Sequence, residues 1–170
     1  MEKTISMHSE RVFSLWTQFF ALIPGILGIF LRRGFYSLTL ERCSLNTHIG
    51  FGSVFTHRSV IVEDSVFIGL YCIIGSCHLG RGSLIASRVS ITSGKTSHVR
   101  SDDGSWLPFD HNRAVQVQIG PKAWIGEAAV VMANVGQGSL VAAGAIVTHA
   151  TDSNVVVAGS PARFVRNMQN

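Results

Sequence analysis

Hydrophobic residues return at every sixth position over a long central stretch of the chain. Eight successive steps carry an aliphatic or aromatic side chain: Ile49, Phe55, Ile61, Phe67, Ile73, Leu79, Ile85 and Ile91. Small residues follow several of these by four positions: Ser53, Ser59, Ser65, Cys77 and Ser83. A six-residue period fits neither an amphipathic helix nor an alternating hairpin strand, and it is typical of short-repeat β-solenoids.

Each hexad predicts one short strand and one turn, and three hexads complete a triangular coil with its large apolar residues inside. A neighbouring register, with Val62, Ile68 and Ile74, fits the middle of the stretch equally well. The pattern therefore leaves open which of two adjacent residues points inward there. The period resumes later in the chain, at Ile119, Ile125, Val131, Val135, Val141 and Val147.

The repeat is interrupted between Ile91 and Ile119 by a polar segment, residues 92–118. This segment contains Gly94, Gly104 and Pro108 and cannot supply inward apolar residues at period six. We therefore expect it to leave the solenoid as a protruding loop. Loops held on a rigid scaffold commonly carry binding and catalytic groups, so this loop is the first place to look for chemistry.

An apolar run at residues 12–31 approaches the length of a membrane span, about 20 residues. Thr17 and Gln18 lie inside it, and Pro24-Gly25 interrupts it midway. We therefore predict two short amphipathic helices that cap the solenoid. Because Arg32 and Arg33 follow the run, peripheral association with a lipid surface is also expected.

The chain thus divides into an N-terminal cap at residues 1–43, a solenoid domain at 44–166 with its insertion, and a tail at 167–170. Its 170 residues suit one domain, and a charged fraction of 14% excludes a disordered chain. A formal net charge of +4 without long basic runs argues against nucleic-acid binding. Three cysteines without paired CxxC spacing indicate reduced thiols in a cytoplasmic protein rather than a disulfide framework or a zinc site.

The block at residues 119–166 contains the motifs AWIG and AGSPARFVR. With the hexads, it resembles the left-handed β-helix acyltransferases of the hexapeptide-repeat family, especially galactoside and maltose O-acetyltransferases. The resemblance covers about residues 44–166. It implies an all-β fold, a left-handed parallel β-helix, and a homotrimer with its sites between subunits. Left-handedness comes from the resemblance alone, because parallel crossovers are normally right-handed.

In that family a histidine near the start of such a loop is the catalytic base, and the resemblance places His98 in this role. An imidazole that titrates near neutral pH suits proton transfer during attack on a thioester. His111 in the same loop is the competing candidate. Asp102, Asp103 and Asp110 are candidates for orienting an imidazole or binding the acceptor, although acidic residues in polar loops are usually solvated.

The resemblance also implies a binding site for acetyl-CoA, the acyl donor. It places donor contacts at Gly126, Glu127, Ala143, Thr148, His149, Arg163 and Arg166. The two arginines would meet the phosphates, as guanidinium groups are suited to do. Trp124 is expected either to flank this site or to pack at an interface.

The resulting prediction is an acetyl-CoA-dependent O-acetyltransferase that uses no metal and modifies a hydroxyl of a sugar, polysaccharide or glycolipid precursor. It is expected in the cytoplasm, with a possible position at the inner face of the membrane. An N-acetyltransferase acting on an amino sugar or xenobiotic would use the same base. The asparagine that related sugar acetyltransferases carry near the acyl group is missing from FIGLYCIIG, so the acceptor pocket cannot be copied from them.

Two other functions remain open on the same fold. A zinc site like that of γ-class carbonic anhydrases needs closely spaced histidines on one coil. His48, His57, His78, His98 and His111 do not show that spacing. A scaffolding solenoid without activity is the other alternative, since a fold alone does not establish a function.

Overall fold

Two N-terminal helices and a series of short strands form the chain in a computed structural model that describes residues 2–93, 100–107 and 115–168. Helix α1 spans Glu2–Ala21 and helix α2 spans Gly25–Thr39. Five coils of strands follow, and the turns between strands keep each one to two or three residues. The hexads predict this alternation of short strands and turns.

The strands of the first three coils precede the insertion. The first coil holds β1 (Arg42–Cys43), β2 (His48–Ile49) and β3 (Val54–Phe55). The second holds β4 (Ile61–Val62), β5 (Phe67–Ile68) and β6 (Ile73–Ile74). The third holds β7 (Cys77–Leu79), β8 (Leu84–Ile85) and β9 (Ser90–Ile91).

The remaining strands follow the insertion. The fourth coil holds β10 (Val117–Ile119), β11 (Trp124–Ile125) and β12 (Val130–Val131). The fifth holds β13 (Leu140–Val141) and β14 (Ile146–Val147). On the first face, the fifth coil forms a single parallel bridge from Val135 to Ile119 instead of a strand. The chain ends in β15 (Val155–Ala158) and β16 (Arg163–Asn167), which pair antiparallel.

Stacking of the coils produces three sheets, which are the faces of the solenoid. The first face has the strand order β1-β4-β7-β10, the second β2-β5-β8-β11-β13-β15-β16, and the third β3-β6-β9-β12-β14. All pairings except that of β15 with β16 are parallel. Backbone hydrogen bonds therefore join each coil to the next, as from Gly69 N–H to the carbonyl of Ile85 (2.8 Å).

Three stacks of apolar side chains fill the interior, one from each face. The second face contributes Ile49, Ile68, Ile85, Ile125 and Val141, all fully buried. The third contributes Phe55, Ile74, Ile91, Val131 and Val147. The first contributes Cys43, Val62, Leu79, Ile119 and Val135. The three cysteines are buried free thiols, and burial raises their pKa values.

The second coil uses the register that the sequence left open. Val62, Ile68 and Ile74 are fully buried, whereas Phe67 and Ile73 are 42% and 52% exposed. Of the two registers, the structure excludes the one with Ile61, Phe67 and Ile73 at the inward positions. The additional residue lies in the corner before β4, because the buried residues Phe55 and Val62 are seven positions apart rather than six.

The helical cap is joined to the first coil by Arg32, which is 1% exposed. Its Nε donates to the carbonyl of Ile49 (2.9 Å), and its Nη1 donates to those of Ile23 (2.7 Å) and Phe20 (3.2 Å). The carbonyl of Phe20 lies in the last turn of α1 and that of Ile23 just beyond it, where the helix offers no backbone N–H to bind them. Arg32 therefore does not contribute to the expected contact with a lipid surface, because its guanidinium is buried and hydrogen-bonded inside the protein.

A buried polar pair supports the same junction between cap and solenoid. Thr17 of α1 hydrogen-bonds the hydroxyl of Tyr36 on α2, and the Tyr36 ring contacts the Phe55 ring with centroids 4.5 Å apart. Burial raises the pKa of Tyr36 to about 12. The predicted helical cap is thus confirmed. Within the described residues, neither helix combines the length and apolarity that crossing a bilayer requires.

Candidate functional site

The insertion leaves the solenoid at the corner between the third and first faces, which we call the loop corner. Ser93 lies at its start and is buried; its hydroxyl accepts a hydrogen bond from the N–H of Ser76 (2.9 Å). The carbonyl of Ser93 accepts from Val115 N–H (3.2 Å), and that of Ser76 accepts from Val117 N–H (3.0 Å). Both ends of the insertion are therefore fixed to each other and to the third coil.

His98 lies outside the described residues, and so do Asp110 and His111. Its assignment as the catalytic base thus stays a prediction. Within the insertion, the structure describes residues 100–107. There Arg100 and Trp106 form an antiparallel bridge. Trp106 is 72% exposed on this hairpin.

Asp103 holds the turn of that hairpin. Its carboxylate accepts a hydrogen bond from the Ser101 hydroxyl and one from the Ser105 N–H (2.9 Å). The hydrogen bond from Ser101, together with those from Ser105, lowers the pKa of Asp103 to about 2. Both Asp102 and Asp103 are exposed. These contacts give Asp103 a turn-forming role.

The residues predicted to bind the donor fall into three groups, the first of which stacks on the corner between the second and third faces. There Gly126 N–H donates to Val141 (2.8 Å) and Gly144 N–H donates to Glu127 (2.8 Å). A Cβ added at Gly126 would lie 2.5 Å from the backbone nitrogen of Ala143. Only glycine therefore permits this close stacking of Gly126 beneath Ala143.

A second group, Thr148 and His149, lies at the loop corner on the fifth coil. The Thr148 hydroxyl is hydrogen-bonded to Nδ1 of His149 (3.0 Å), and the His149 side chain is exposed. Below them, Asn134 accepts from Gln118 N–H through its side chain (2.9 Å) and from Thr151 N–H through its carbonyl (3.0 Å). The third face therefore separates this group from the first.

The third group is the arginine pair on β16, on the second face. The backbone pairs Arg163 with Ala158 and Arg166 with Val156, and Ala142 N–H donates to Val157 (2.9 Å). Arg163 thus lies at the end of the corner that holds Ala143. Both guanidinium groups are exposed, and among the described residues each donates to the carbonyl of a sequence neighbour, Arg163 to Ala162 and Arg166 to Asn167, 3.1 Å away in each case.

An ion pair that sequence reasoning missed lies on the same corner. The Arg88 guanidinium, from the third coil, contacts the carboxylate of Glu127, from the fourth. The two residues are 39 positions apart because the insertion lies between their coils. The only signal in the sequence is that both residues lie in turns of their hexads, Arg88 three positions after Ile85 and Glu127 two positions after Ile125. The pair occupies the Glu127 side chain, and the Glu127 carbonyl accepts from Gly144 N–H.

A second cluster outside the prediction lies on the first face. Glu63 accepts a hydrogen bond from His78 Nε2 (2.8 Å) and one from the N–H of Arg81 (2.8 Å). The bond with His78 is the main cause that lowers the pKa of Glu63. A cavity of about 240 Å³ lies beside it, lined by Arg42, Asp64 and Arg81 among others. Among the described residues, no three His, Cys, Asp or Glu side chains are grouped to hold a metal ion.

Two curated relatives match the chain in sequence. One, from Escherichia coli K12, is WbbJ, named for an O-acetyl transferase of lipopolysaccharide biosynthesis; it is 33% identical over 124 residues, covering 69% of this chain and 62% of its own length. The galactoside O-acetyltransferase of the same organism is 31% identical over 129 residues, covering 74% and 56%. The chain thus spans about three fifths of the relatives it matches. No protein-family model matches it.

Solved structures share the fold over almost the whole chain. A maltose O-acetyltransferase from Clostridium difficile 630 superimposes with a TM-score of 0.72 at 15% identity, covering 96% of this chain and 88% of the other. The chain has the hexapeptide-repeat acetyltransferase fold. A hexapeptide-repeat acetyltransferase from Vibrio cholerae, in complex with acetyl-CoA, gives 0.62 at 16% identity, covering 97% and 90%. The predicted left-handed β-helix and the resemblance to O-acetyltransferases are confirmed.

Proposed function

We propose that the chain is an acetyl-CoA-dependent O-acetyltransferase that modifies a hydroxyl group of a saccharide. The observation that carries the proposal is the sequence similarity to two O-acetyltransferases over 69% and 74% of the chain. The solenoid of this chain gives the similarity a structural basis, because it holds both ends of the insertion at one fixed corner.

In the proposed reaction, His98 accepts the proton of the acceptor hydroxyl while its oxygen attacks the thioester carbonyl of acetyl-CoA. The tetrahedral intermediate collapses, the carbon–sulfur bond breaks, and the thiolate of coenzyme A takes up the proton. General base catalysis of this kind contributes about 100- to 10,000-fold. The hydrogen bonds of Ser93 to the third coil support the role, since they fix the start of the segment that carries His98.

Coenzyme A is proposed to bind along the corner of Gly126 and Ala143, with Arg163 and Arg166 on its phosphates. The exposed guanidinium groups of both arginines retain donors for phosphate oxygens. Thr148 and His149 lie at the loop corner. A coenzyme A molecule that contacts them as well as the Gly126 corner must therefore cross the third face. There the partly buried Val130 and Ile146 offer apolar contact to its pantetheine arm.

A homotrimer with sites between subunits is part of the proposal. The outer side of the second face carries a row of exposed apolar residues, Phe67, Leu84 and Trp124, at 42%, 45% and 50% exposure. A row of this kind is typical of a protein–protein contact. Light scattering should give three times the chain mass. Trp124→Glu should reduce that mass, and a mass of one chain for the parent protein would contradict the trimer.

The acceptor is proposed to be a saccharide of a surface polysaccharide or glycolipid, and WbbJ's name, for an O-acetyl transferase of lipopolysaccharide biosynthesis, supports that choice. The test is to incubate the protein with acetyl-CoA and a panel of galactosides, maltose, amino sugars and serine while thiol release is followed. We expect release with a hydroxyl acceptor and a product that alkaline hydroxylamine cleaves, as it cleaves esters. A hydroxylamine-resistant amide product would favour N-acetylation, and failure to bind or turn over acetyl-CoA would overturn the proposal.

A further inference from the structure

The turn between α1 and α2 carries a cluster of exposed apolar side chains that the proposed reaction does not use. Phe19, Leu22, Ile26, Leu27 and Phe30 are between 56% and 74% exposed. They lie on the last turn of α1, the connection through Pro24 and the first turns of α2. We call these five residues the apolar tip.

The apolar tip is distinct from the side of the cap that packs on the solenoid. Phe13, Thr17 and Ala21 of α1 are buried, as are Arg32 and Tyr36 of α2. The contacts of Arg32 with Ile49 and of Tyr36 with Phe55 fix that side to the first coil. The apolar tip is therefore held on a rigid support with its side chains in solvent, which monomeric soluble proteins rarely tolerate over so large a patch.

The charged residues on the chain between Glu10 and Glu41 are all arginines. The chain has no Asp or Glu between Glu10 and Glu41. Arg33 places its guanidinium over the ring of Phe30, 4.9 Å from the centroid, at the edge of the patch. Arg11 is exposed on α1. An apolar surface that contains aromatic rings and is bordered by an arginine matches the interface of an anionic bilayer, where the lipid tails receive the apolar groups and the headgroups receive the cation.

We propose that the apolar tip inserts into the surface of an anionic lipid bilayer and that Arg33 binds the headgroups beside it. The exposed Trp16, 46% exposed and in contact with Phe19, would lie at the interface between tails and headgroups. Neither helix can cross the bilayer within its described residues, so the association is peripheral. The proposal goes beyond acetyl transfer and does not depend on it.

The test is cosedimentation of the full chain with vesicles of phosphatidylcholine mixed with phosphatidylglycerol, and with vesicles of phosphatidylcholine alone. We expect binding to the anionic vesicles that weakens with salt. The double variant Leu22→Glu/Leu27→Glu should bind at least about tenfold more weakly, because two apolar side chains no longer enter the bilayer. Arg33→Gln should lose about fivefold on anionic vesicles only.

The matched control is Phe164→Glu/Val165→Glu, which places the same two charges on exposed residues of β16, at the opposite end of the solenoid. It should bind vesicles as the parent does. Thermal unfolding and light scattering of the Leu22→Glu/Leu27→Glu variant establish that fold and subunit number are retained. Absence of parent binding to either vesicle, equal binding by that variant, or a change of its subunit number would overturn the proposal. The last result would identify the apolar tip as a contact between copies of the chain.

Discussion

The guanidinium of Arg32 donates a 2.9 Å hydrogen bond to the carbonyl oxygen of Ile49 and so connects the helical cap to the first coil. A solenoid needs such a cap, because the open end of its apolar interior would otherwise face water. Here the cap is attached by a buried cation that also binds carbonyls at the end of α1. Burial lowers the pKa of this guanidinium, and its hydrogen bonds compensate for the lost hydration.

Replacement of Arg32 by methionine should destabilise the protein strongly. The variant keeps much of the apolar stem but leaves the carbonyls of Ile49 and Ile23 without their donor. Buried unsatisfied groups cost about 1–3 kcal/mol each, so for these two carbonyls we expect a loss of about 2–6 kcal/mol of unfolding free energy, measured in urea. Arg33→Met should cost less than about 1 kcal/mol, the value of its contact with Phe30. Equal losses in the two variants would contradict the role of Arg32.

The register of the second coil can be tested with two adjacent isoleucines on β6. Ile74→Ala removes a fully buried side chain and should cost about 2–5 kcal/mol of unfolding free energy. Ile73→Ala removes an outward side chain that is 52% exposed, and it should cost less than about 1 kcal/mol. Urea unfolding of both variants measures the difference. A larger loss at Ile73 would reverse the register.

The hairpin of the insertion should respond to acid through Asp103. Because its folded pKa of about 2 lies below the ordinary value of 3.8, the ionised carboxylate stabilises the hairpin. That contribution is complete above about pH 4 and is lost as pH falls through about 2. Carbon NMR of the Asp103 carboxyl should give this pKa directly. Ser101→Ala should raise it towards 3.8, whereas a parent pKa near 3.8 would contradict the turn.

The arginines of β16 should determine the affinity for the phosphates of coenzyme A. Arg163→Gln and Arg166→Gln should each raise the Kd for coenzyme A by about tenfold or more, the value of a charged hydrogen bond. Binding of pantetheine, which lacks the phosphates, should be unchanged. The matched control is Arg81→Gln, an exposed arginine near the cavity on the first face. Calorimetric titration that shows no loss for either β16 variant would exclude them from the site.

Most of the solenoid could be predicted from the hexads, because most hexads contain a single large apolar residue, and that residue is the one that faces the interior. The register of the second coil could not be predicted. This coil offers two adjacent apolar residues at each step, such as Phe67-Ile68 and Ile73-Ile74, and periodicity does not choose between them. The register shifts at the preceding corner, where seven positions rather than six separate the buried residues Phe55 and Val62.

Contacts between distant parts of the chain were beyond sequence reasoning for a related reason. Arg32 looks like a flanking charge, since the carbonyls it binds are invisible in the amino-acid sequence. Arg88 and Glu127 meet only because the insertion leaves and rejoins the solenoid at one corner. The motifs at residues 119–166 did indicate a donor site. In the structure, the residues predicted for this donor site are divided among two corners and the second face.

The most direct test of the account is the rate of acetyl transfer by His98→Ala beside His111→Ala, its matched variant in the same insertion. Both variants should bind coenzyme A with the affinity of the parent. On an active acceptor, kcat of His98→Ala should fall by about a hundredfold or more, because the general base is lost, whereas His111→Ala should stay within a few-fold of the parent. Full activity of His98→Ala would contradict the account, and a loss confined to His111→Ala would transfer the role to His111.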